Sequence, residues 1–388
     1  MKSRSSTSPI VPTLAALLAT VGLAQAALVP APPPRGAPLH HPALAPAPIR
    51  PAAAPAAPPP AAAAAPAAAP VAAAPIVAPP TLSAAAKAVP EQTRINIAWQ
   101  IALEAADFSP GIIDSHFKQK STMALKEYAA RYFPGLKPFD PAVYKSLNVD
   151  VANAVTTYTL TADDAAMVGQ VTEDWNEKAA MARLGYESLC DAITEKFHCT
   201  LALLEALNPG VSMARLEPGQ TLIVPAIRPF PIDNRVTVAK RSGAAYVTVD
   251  LAEKSIRVFD KDNSEMALFH CSIARDKDKL PSRDTKVQVI AAPNPNYTFD
   301  PKVWPDVHDV SRILTIPPGP RNPVGLAWVG LDLPGYGIHG TPKPELIGKT
   351  GSHGCFRLTN WDALKFAGFA REGMPVKIIN PDKTSPTE

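Results

Sequence analysis

A length of 388 residues allows two or three domains, but the 45 prolines are so unevenly spread that each part of the chain needs its own interpretation. The formal net charge of only +3, with no cluster of basic residues interleaved with aromatic ones, argues against nucleic acid as a partner.

Residues 1–26 have the order of a secretory signal peptide. Lys2 and Arg4 come first, the apolar run 14–23 follows, and the small residues Ala24 and Ala26 end the segment. The apolar run is shorter than the roughly 20 residues that a membrane-spanning helix needs. We therefore expect export to a periplasmic or cell-wall location and no integral membrane span after cleavage; an uncleaved anchor is the alternative.

Residues 27–90 are predicted to be a linker rather than a domain. Proline and alanine make up most of this stretch, and no acidic residue occurs before Glu91. Proline removes backbone hydrogen-bond donors and favours extended polyproline II geometry. We expect a disordered, semi-rigid spacer that carries the folded part away from its point of origin.

The next segment, residues 91–147, has helical periodicity. The apolar residues of its first helix are spaced to share one stripe: Ile97, Ile101, Ala105 and Phe108. Asp114 in the following turn and the run Thr122–Leu125 resemble the small peptidoglycan-binding helical domain found beside many wall enzymes. A helical module that only packs on its neighbours is the alternative.

Residues 155–226 contain a strand, two helices and a strand, predicted at 157–160, 186–197, 200–207 and 221–225. Three segments resemble a LysM domain with an insertion over roughly 163–184: Ser188–Ile193, Leu203–Gly210 and Pro218–Pro225. The resemblance implies a small α+β module that binds glycans containing N-acetylglucosamine. A degenerate module that serves only as packing is the alternative.

The four cysteines are Cys190, Cys199, Cys271 and Cys355. In an exported chain a disulfide is allowed, and Cys190 with Cys199 is the pair closest in sequence. Two buried free thiols are the other interpretation.

From residue 243 the pattern becomes β. Two β-branched runs at 245–250 and 254–259 predict a hairpin, and a third at 267–273 extends it. Near the end, Thr359 is placed to cap a helix, and the strand 375–379 closes the domain.

Two short motifs in this region carry the chemistry: Ile338-His339-Gly340-Thr341 and Ser352-His353-Gly354-Cys355-Phe356-Arg357-Leu358. A thiol must lose its proton to become a nucleophile, and a nearby imidazole can accept it. Cys355 is thus the predicted nucleophile and His339 the predicted base, with His353 as a competing base. The carbonyl of Gly340 can hold the second ring nitrogen of His339, and Gly354 can let the chain bend and offer an amide to an oxyanion.

These motifs, together with Pro317–Gly325, resemble the L,D-transpeptidase (YkuD-type) family over about residues 243–380. The resemblance implies a multidomain chain whose mainly-β catalytic domain follows the LysM-like and helical modules, with no metal or organic cofactor and with peptidoglycan as partner. The implied catalytic set is Cys355 as nucleophile, His339 as base, His353 at the oxyanion pocket, Gly354, Gly340, and Arg357 ordering the loop. Four residues are expected to contact the substrate: Ser352, Arg357, Asn322 and Trp328.

The implied reaction is attack of Cys355 on the bond between the third residue of a stem tetrapeptide and the terminal D-alanine. The thioester then passes to an amine of a neighbouring stem, of a lipoprotein or of a free D-amino acid; with water instead, the protein is a carboxypeptidase or another amide hydrolase. A non-catalytic wall-binding scaffold is the rival class. Zinc held by His339, His353 and Cys355 is disfavoured, since a fourth ligand and a second cysteine are missing.

Overall fold

The computed structural model describes residues 83–231, 236–303, 307–352 and 354–380. The predicted signal peptide, residues 1–26, and the predicted linker up to residue 82 lie outside this range. The last part of the linker prediction is wrong. Ser83 caps a short helix, α1 (Ala84–Lys87), by accepting from the amide of Ala86 at 3.0 Å, and Ala85 and Ala86 are buried. Small alanine side chains let this turn pack closely against the folded part.

The helical segment forms three helices, α2 (Glu91–Ala105), α3 (Gln119–Tyr132) and α4 (Pro141–Ser146). Three of the four predicted stripe residues face the core, since Ile97 and Phe108 are buried and Ile101 packs against it, whereas Ala105 is exposed. Leu103 and Glu104 are buried instead, since neighbouring parts of the chain cover that side of the helix.

The α+β segment begins with strand β1 (Val155–Thr159) and ends with β2 (Thr221–Pro225), which pair antiparallel. Between them lie four helices: α5 (Ala162–Ala165), α6 (Trp175–Ala180), α7 (Leu189–Lys196) and α8 (Leu201–Leu207). The two principal helices begin where caps allow. Ser188 accepts from the amide of Asp191 at 3.1 Å, and Thr200 accepts from the amide of Leu203 at 3.2 Å. The predicted strand, helix, helix, strand order is therefore present, with α5 and α6 added by the insertion.

The C-terminal segment is built on an eight-stranded sheet of order β11-β10-β9-β6-β12-β3-β4-β5. Its strands are β3 (Ala244–Asp250), β4 (Ser255–Asp260), β5 (Glu265–His270), β6 (Thr285–Ala291), β9 (Trp328–Leu331), β10 (Gly337–His339), β11 (Phe356–Arg357) and β12 (Pro375–Ile379). β10 pairs in parallel with β11, and β12 pairs in parallel with β3. A separate hairpin joins β7 (Tyr297–Phe299) to β8 (Leu314–Ile316).

Helix α9 (Asn360–Phe369) packs its apolar residues against this sheet, and Thr359 caps it as predicted. Its other contacts are with the preceding segments. Trp361 stacks on His198 with ring centroids 4.4 Å apart, and Asp362 accepts from the hydroxyl of Ser109 at 2.8 Å. The insertion also contacts the C-terminal segment, because the ring of Trp175 stacks on that of Phe299 with centroids 4.1 Å apart.

The helices of the described ranges include none that is both long and apolar enough to cross a membrane.

Candidate active site

Cys355 directly precedes β11, and His339 ends the neighbouring strand β10. The two strands run parallel with His339 opposite Arg357. Side chains of paired residues project from the same face of a sheet, and residues two apart along a strand share that face. His339 and Arg357 therefore project from the same face, opposite the buried side chains of Ile338 and Phe356, and Cys355 lies two residues before Arg357 at the start of β11.

The thiol of Cys355 is held in its neutral form. Burial raises its pKa to about 11, and a backbone hydrogen bond from Gly337 and the charge of Arg357 only partly oppose this. Its Sγ atom lies 3.3 Å from the carbonyl oxygen of Gly335 and donates to it. Cys355 is thus a protonated thiol at neutral pH.

The imidazole of His339 is also neutral at that pH. Burial lowers its pKa to about 4, its hydrogen bond to the backbone carbonyl of Gly340 opposes the shift, and the charge of Arg357 adds to the shift. Nδ1 lies 2.6 Å from the carbonyl oxygen of Gly340. A carbonyl only accepts, so Nδ1 carries the proton and Nε2 is left as an acceptor. This is the arrangement that a base needs.

Trp328, predicted to contact substrate, lies beside the base. Its ring centroid is 5.5 Å from that of His339. Space for the indole depends on Gly337, where a Cβ atom would lie 2.5 Å from a ring carbon of Trp328. The side chain therefore forms a wall of the site next to His339.

Arg357 and Ser352 order the loop that carries Cys355. The guanidinium of Arg357 donates to the carbonyl of Gly351, and burial lowers its pKa. The hydroxyl of Ser352 donates to the carbonyl of Cys355 at 2.5 Å and accepts from the amide of Gly354 at 3.2 Å. The hydroxyl of Ser352 thus makes its hydrogen bonds within the loop, whereas the sequence predicted a contact with substrate.

Two further expectations need correction. Asn322 is fully buried, and its amide donates to the carbonyl of Pro317 at 2.8 Å and accepts from the amide of Val324 at 2.9 Å, so it stabilises a turn rather than contacting substrate. Gly354 is not needed for a sharp bend, since an added Cβ would meet Tyr336 at an ordinary 3.6 Å. Its amide is also engaged by Ser352 and is not free for an oxyanion. His353 lies outside the described residues.

Asn360 is a site residue that the sequence analysis missed. It is fully buried, and its Oδ1 atom accepts from the amides of Leu326 and Thr341, each at 3.1 Å. A Cβ atom on Gly325 or on Gly340 would collide with this oxygen, so both glycines make room for it. The position directly after the cap Thr359 gave no sign of this role.

The two cysteines for which the sequence allowed either a disulfide or free thiols are free. Cys190 and Cys199 are both unbridged and buried, and burial raises the pKa of each, to about 11 and about 12. Across the described ranges, no group of three or more His, Cys, Asp or Glu side chains is arranged to hold a metal ion.

Comparison with known proteins gives a consistent family. The model of the YkuD L,D-transpeptidase catalytic domain matches residues 244–378. YkuD of Bacillus licheniformis, whose name gives the L,D-transpeptidase assignment as provisional, is 28% identical over 188 residues, which cover 48% of this chain and 92% of that protein. A crystal structure of a mutant Enterococcus faecium L,D-transpeptidase is 17% identical to this chain, with a TM-score of 0.27. The match covers 35% of this chain and 50% of that one, and a similarity this low supports no conclusion about fold or function.

The deciding relative is YqjB of Bacillus subtilis, whose L,D-transpeptidase name is likewise provisional. It is 31% identical over 162 residues, which cover 40% of this chain and 77% of that protein. With the family match over the segment that holds Cys355 and His339, the chain belongs to the YkuD family of L,D-transpeptidases.

Proposed function

We propose that this protein is an exported peptidoglycan L,D-transpeptidase in which Cys355 is the nucleophile and His339 the general base. The observation that carries the proposal is the parallel pairing of β10 with β11, because His339 ends the first strand and Cys355 directly precedes the second. The contact of Sγ with the carbonyl of Gly335, just before β10, supports it at 3.3 Å. The Nδ1 contact of His339 with Gly340 supports it further, because it leaves Nε2 as the proton acceptor.

The first half-reaction forms a thioester. As Sγ of Cys355 attacks the carbonyl carbon between the third stem residue and D-alanine, Nε2 of His339 takes the thiol proton. The C–N bond then breaks, His339 returns the proton to the leaving nitrogen, and D-alanine departs as the free amine. A neutral thiol with a neutral imidazole suits this order of events, since no ion pair has to be maintained in the resting site.

The second half-reaction passes the acyl group to an amine. The amine attacks the thioester carbon, gives a proton to His339, and the thiol of Cys355 is released with that proton. An amine from a neighbouring stem would give a cross-link between two third residues, and an amine on a lipoprotein would attach that protein to the wall. Water in the same role would make the protein a carboxypeptidase.

The preceding segments are proposed to hold the wall polymer. The antiparallel pairing of β1 with β2 around α7 and α8 supports a LysM-like module over 155–226. The helices of 91–147 are proposed as the peptidoglycan-binding-like module, and 243–380 as the catalytic domain. Export to the periplasm or cell wall follows from the segment 1–26.

The test is mass spectrometry of the purified protein after incubation with a disaccharide-tetrapeptide. Wild type should release D-alanine and form a dimer of the substrate, whereas Cys355→Ala and His339→Ala should do neither. Cys190→Ala is the matched control, because it removes a thiol away from the site and should keep full activity. Tripeptide without dimer would favour the carboxypeptidase, and wall binding without any product would favour a non-catalytic scaffold.

A further inference from the structure

We propose that Glu195, a residue of α7 outside the segment matched by the YkuD model, positions His339 through Asn360. The inference rests on the proposed role of His339 as base. It makes a residue of the LysM-like segment part of the machinery that orients the catalytic imidazole.

The first step is a single peptide group. The carbonyl oxygen of Gly340 contacts Nδ1 of His339 at 2.6 Å, and the N–H of the same peptide, which belongs to Thr341, donates to Oδ1 of Asn360 at 3.1 Å. A peptide group is planar and rigid. Whatever fixes the N–H of Thr341 therefore also fixes the carbonyl that holds His339.

The side-chain amide of Asn360 must have one particular orientation to hold this peptide. A side-chain amide can rotate so that its oxygen and nitrogen exchange places, and only one orientation offers an acceptor to Thr341. Nδ2 of Asn360 donates to Oε1 of Glu195 at 2.7 Å. A carboxylate only accepts, so Glu195 selects the orientation with Nδ2 toward itself and Oδ1 toward Thr341.

Burial and an ion pair with Arg321 hold the Glu195 side chain in place. Its side chain is 2% exposed, and its Oε2 atom accepts from Nη1 of Arg321 at 3.2 Å. Burial raises the pKa of Glu195, and the charge of Arg321 opposes this and favours the carboxylate. Arg321 also bonds Asp191, one turn earlier on α7, which secures the guanidinium independently of Glu195.

The hydrogen bonds thus connect Glu195 on α7 to His339, and water does not reach the residues that make them. Glu195, Asn360, Thr341 and His339 are all buried. A buried amide in the wrong orientation would leave the amides of Leu326 and Thr341 facing an NH₂ group, which is strongly unfavourable. Those two amides hold Oδ1, and Glu195 holds Nδ2 as its near acceptor at 2.7 Å, while the carbonyl of Pro320 lies farther away at 3.4 Å. Loss of Glu195 therefore weakens the hold on the amide that fixes the peptide of Gly340 and Thr341.

The experiment measures the tautomer of His339 in the full chain. Ring ¹⁵N shifts of histidine-labelled protein report which nitrogen carries the proton, and the His339→Gln variant assigns the signal among the eight histidines. Wild type should carry the proton on Nδ1. Glu195→Gln retains an oxygen that can accept from Asn360 and should keep this tautomer, whereas Glu195→Ala should give a mixture of the two.

Two further variants complete the test. Glu195→Met fills the space without an acceptor, should behave as Glu195→Ala, and serves if the smaller residue prevents folding. Asp191→Asn weakens the ion pair with Arg321 but does not touch Asn360, so it should match wild type. An unchanged Nδ1–H tautomer in folded Glu195→Ala or Glu195→Met would overturn the proposal, as would loss of that tautomer in Asp191→Asn.

Kinetics separate this inference from the proposed function. Glu195→Ala should lower kcat for acyl transfer by about 10- to 100-fold, the usual effect of removing a group that orients a functional histidine, with little change in KM. Glu195→Gln should restore most of the loss. If wild type transfers no acyl group, the proposed function fails while the tautomer measurement still decides the role of Glu195.

Discussion

At the residue scale, both members of the proposed Cys355–His339 pair are neutral at pH 7. Burial raises the pKa of Cys355 to about 11 and lowers that of His339 to about 4. A cysteine protease with a thiolate-imidazolium pair would show the opposite shift at the thiol. The difference has a measurable consequence for the reactivity of Cys355.

Alkylation of Cys355 by iodoacetamide should be slow at pH 7 and should rise with pH until about pH 11. Because a free cysteine titrates near pH 8.5, the thiolate fraction of Cys355 at pH 7 should be about 300-fold below that of a small thiol, and the rate should be lower accordingly. Peptide-level mass spectrometry follows Cys355 separately from the buried thiols. A plateau of the rate near neutral pH would contradict the neutral pair.

Asn322 is the second residue for which the structure changes the expectation. Asn322→Ala should lower the free energy of unfolding by about 1–3 kcal/mol, because the amide of Val324 and the carbonyl of Pro317 lose their buried partner. Denaturant unfolding measures this. Since the side chain makes no surface of the site, KM should stay near its wild-type value, and a large rise in KM with unchanged stability would restore the predicted substrate contact.

The sequence was informative where local chemistry decides the role. The contact of His339 with the carbonyl of Gly340 was predicted from the motif and is present at 2.6 Å, whereas the roles of Cys355 and His339 stay predictions. Asn360 and Glu195 were missed because they are 165 residues apart in the chain and meet only through tertiary packing. Neither residue type signals such a contact by itself.

At the element scale, α9 connects the sheet to the rest of the protein. It was predicted from the cap Thr359, and the cap is present. The hydroxyl of Thr359 accepts from the amide of Asp362 at 3.3 Å. The helix then carries Asn360 in its first turn, so the start of the helix bears directly on the site.

Thr359→Ala should lower the free energy of unfolding by about 1 kcal/mol through loss of the cap. Thermal unfolding followed by circular dichroism gives the change. Thr359→Ser keeps the hydroxyl and removes only the methyl group, so it should be clearly less destabilised than the alanine variant. Equal destabilisation of the two would assign the effect to packing of the methyl group instead.

Strand content was easier to predict than strand order. The hairpin of β3 and β4 has a local pattern of alternating residues, and it forms as expected. β11 has only two residues and β10 three, too few for any periodicity to show. Their parallel pairing, which sets His339 opposite Arg357 and the start of β11 beside β10, depends on long-range topology that no local pattern reveals.

At the scale of the whole molecule, buried ionisable groups couple stability to pH. Burial and the nearby Lys120 lower the pKa of His270 to about 3. Between that value and the unfolded pKa near 6.5, only the unfolded chain binds the proton, so this histidine destabilises the fold as pH falls below 6.5. Asp362 and Glu265, whose pKa values burial raises to about 6 and about 8, act in the opposite direction.

Comparison with His270→Gln isolates the histidine. Between pH 6.5 and pH 5 the wild type should lose about 2 kcal/mol of unfolding free energy relative to the variant, since one proton per molecule corresponds to about 1.4 kcal/mol per pH unit. The two carboxyl groups are present in both proteins and cancel in the difference. Parallel pH profiles for the two proteins would show that His270 is not buried in its neutral form.

Strand β5 belongs to two hydrophobic cores at once. Leu268 packs into the core of the preceding helices, whereas Ala267 and Phe269, on the other face of the same strand, belong to the core under α9. Heat cannot melt one core without removing a wall of the other, so calorimetry should record a single cooperative transition for residues 83–380. The segment that begins at residue 243 should therefore not fold unchanged when it is fused to another protein. Recombination at that residue would separate β5 from the helices whose core it completes.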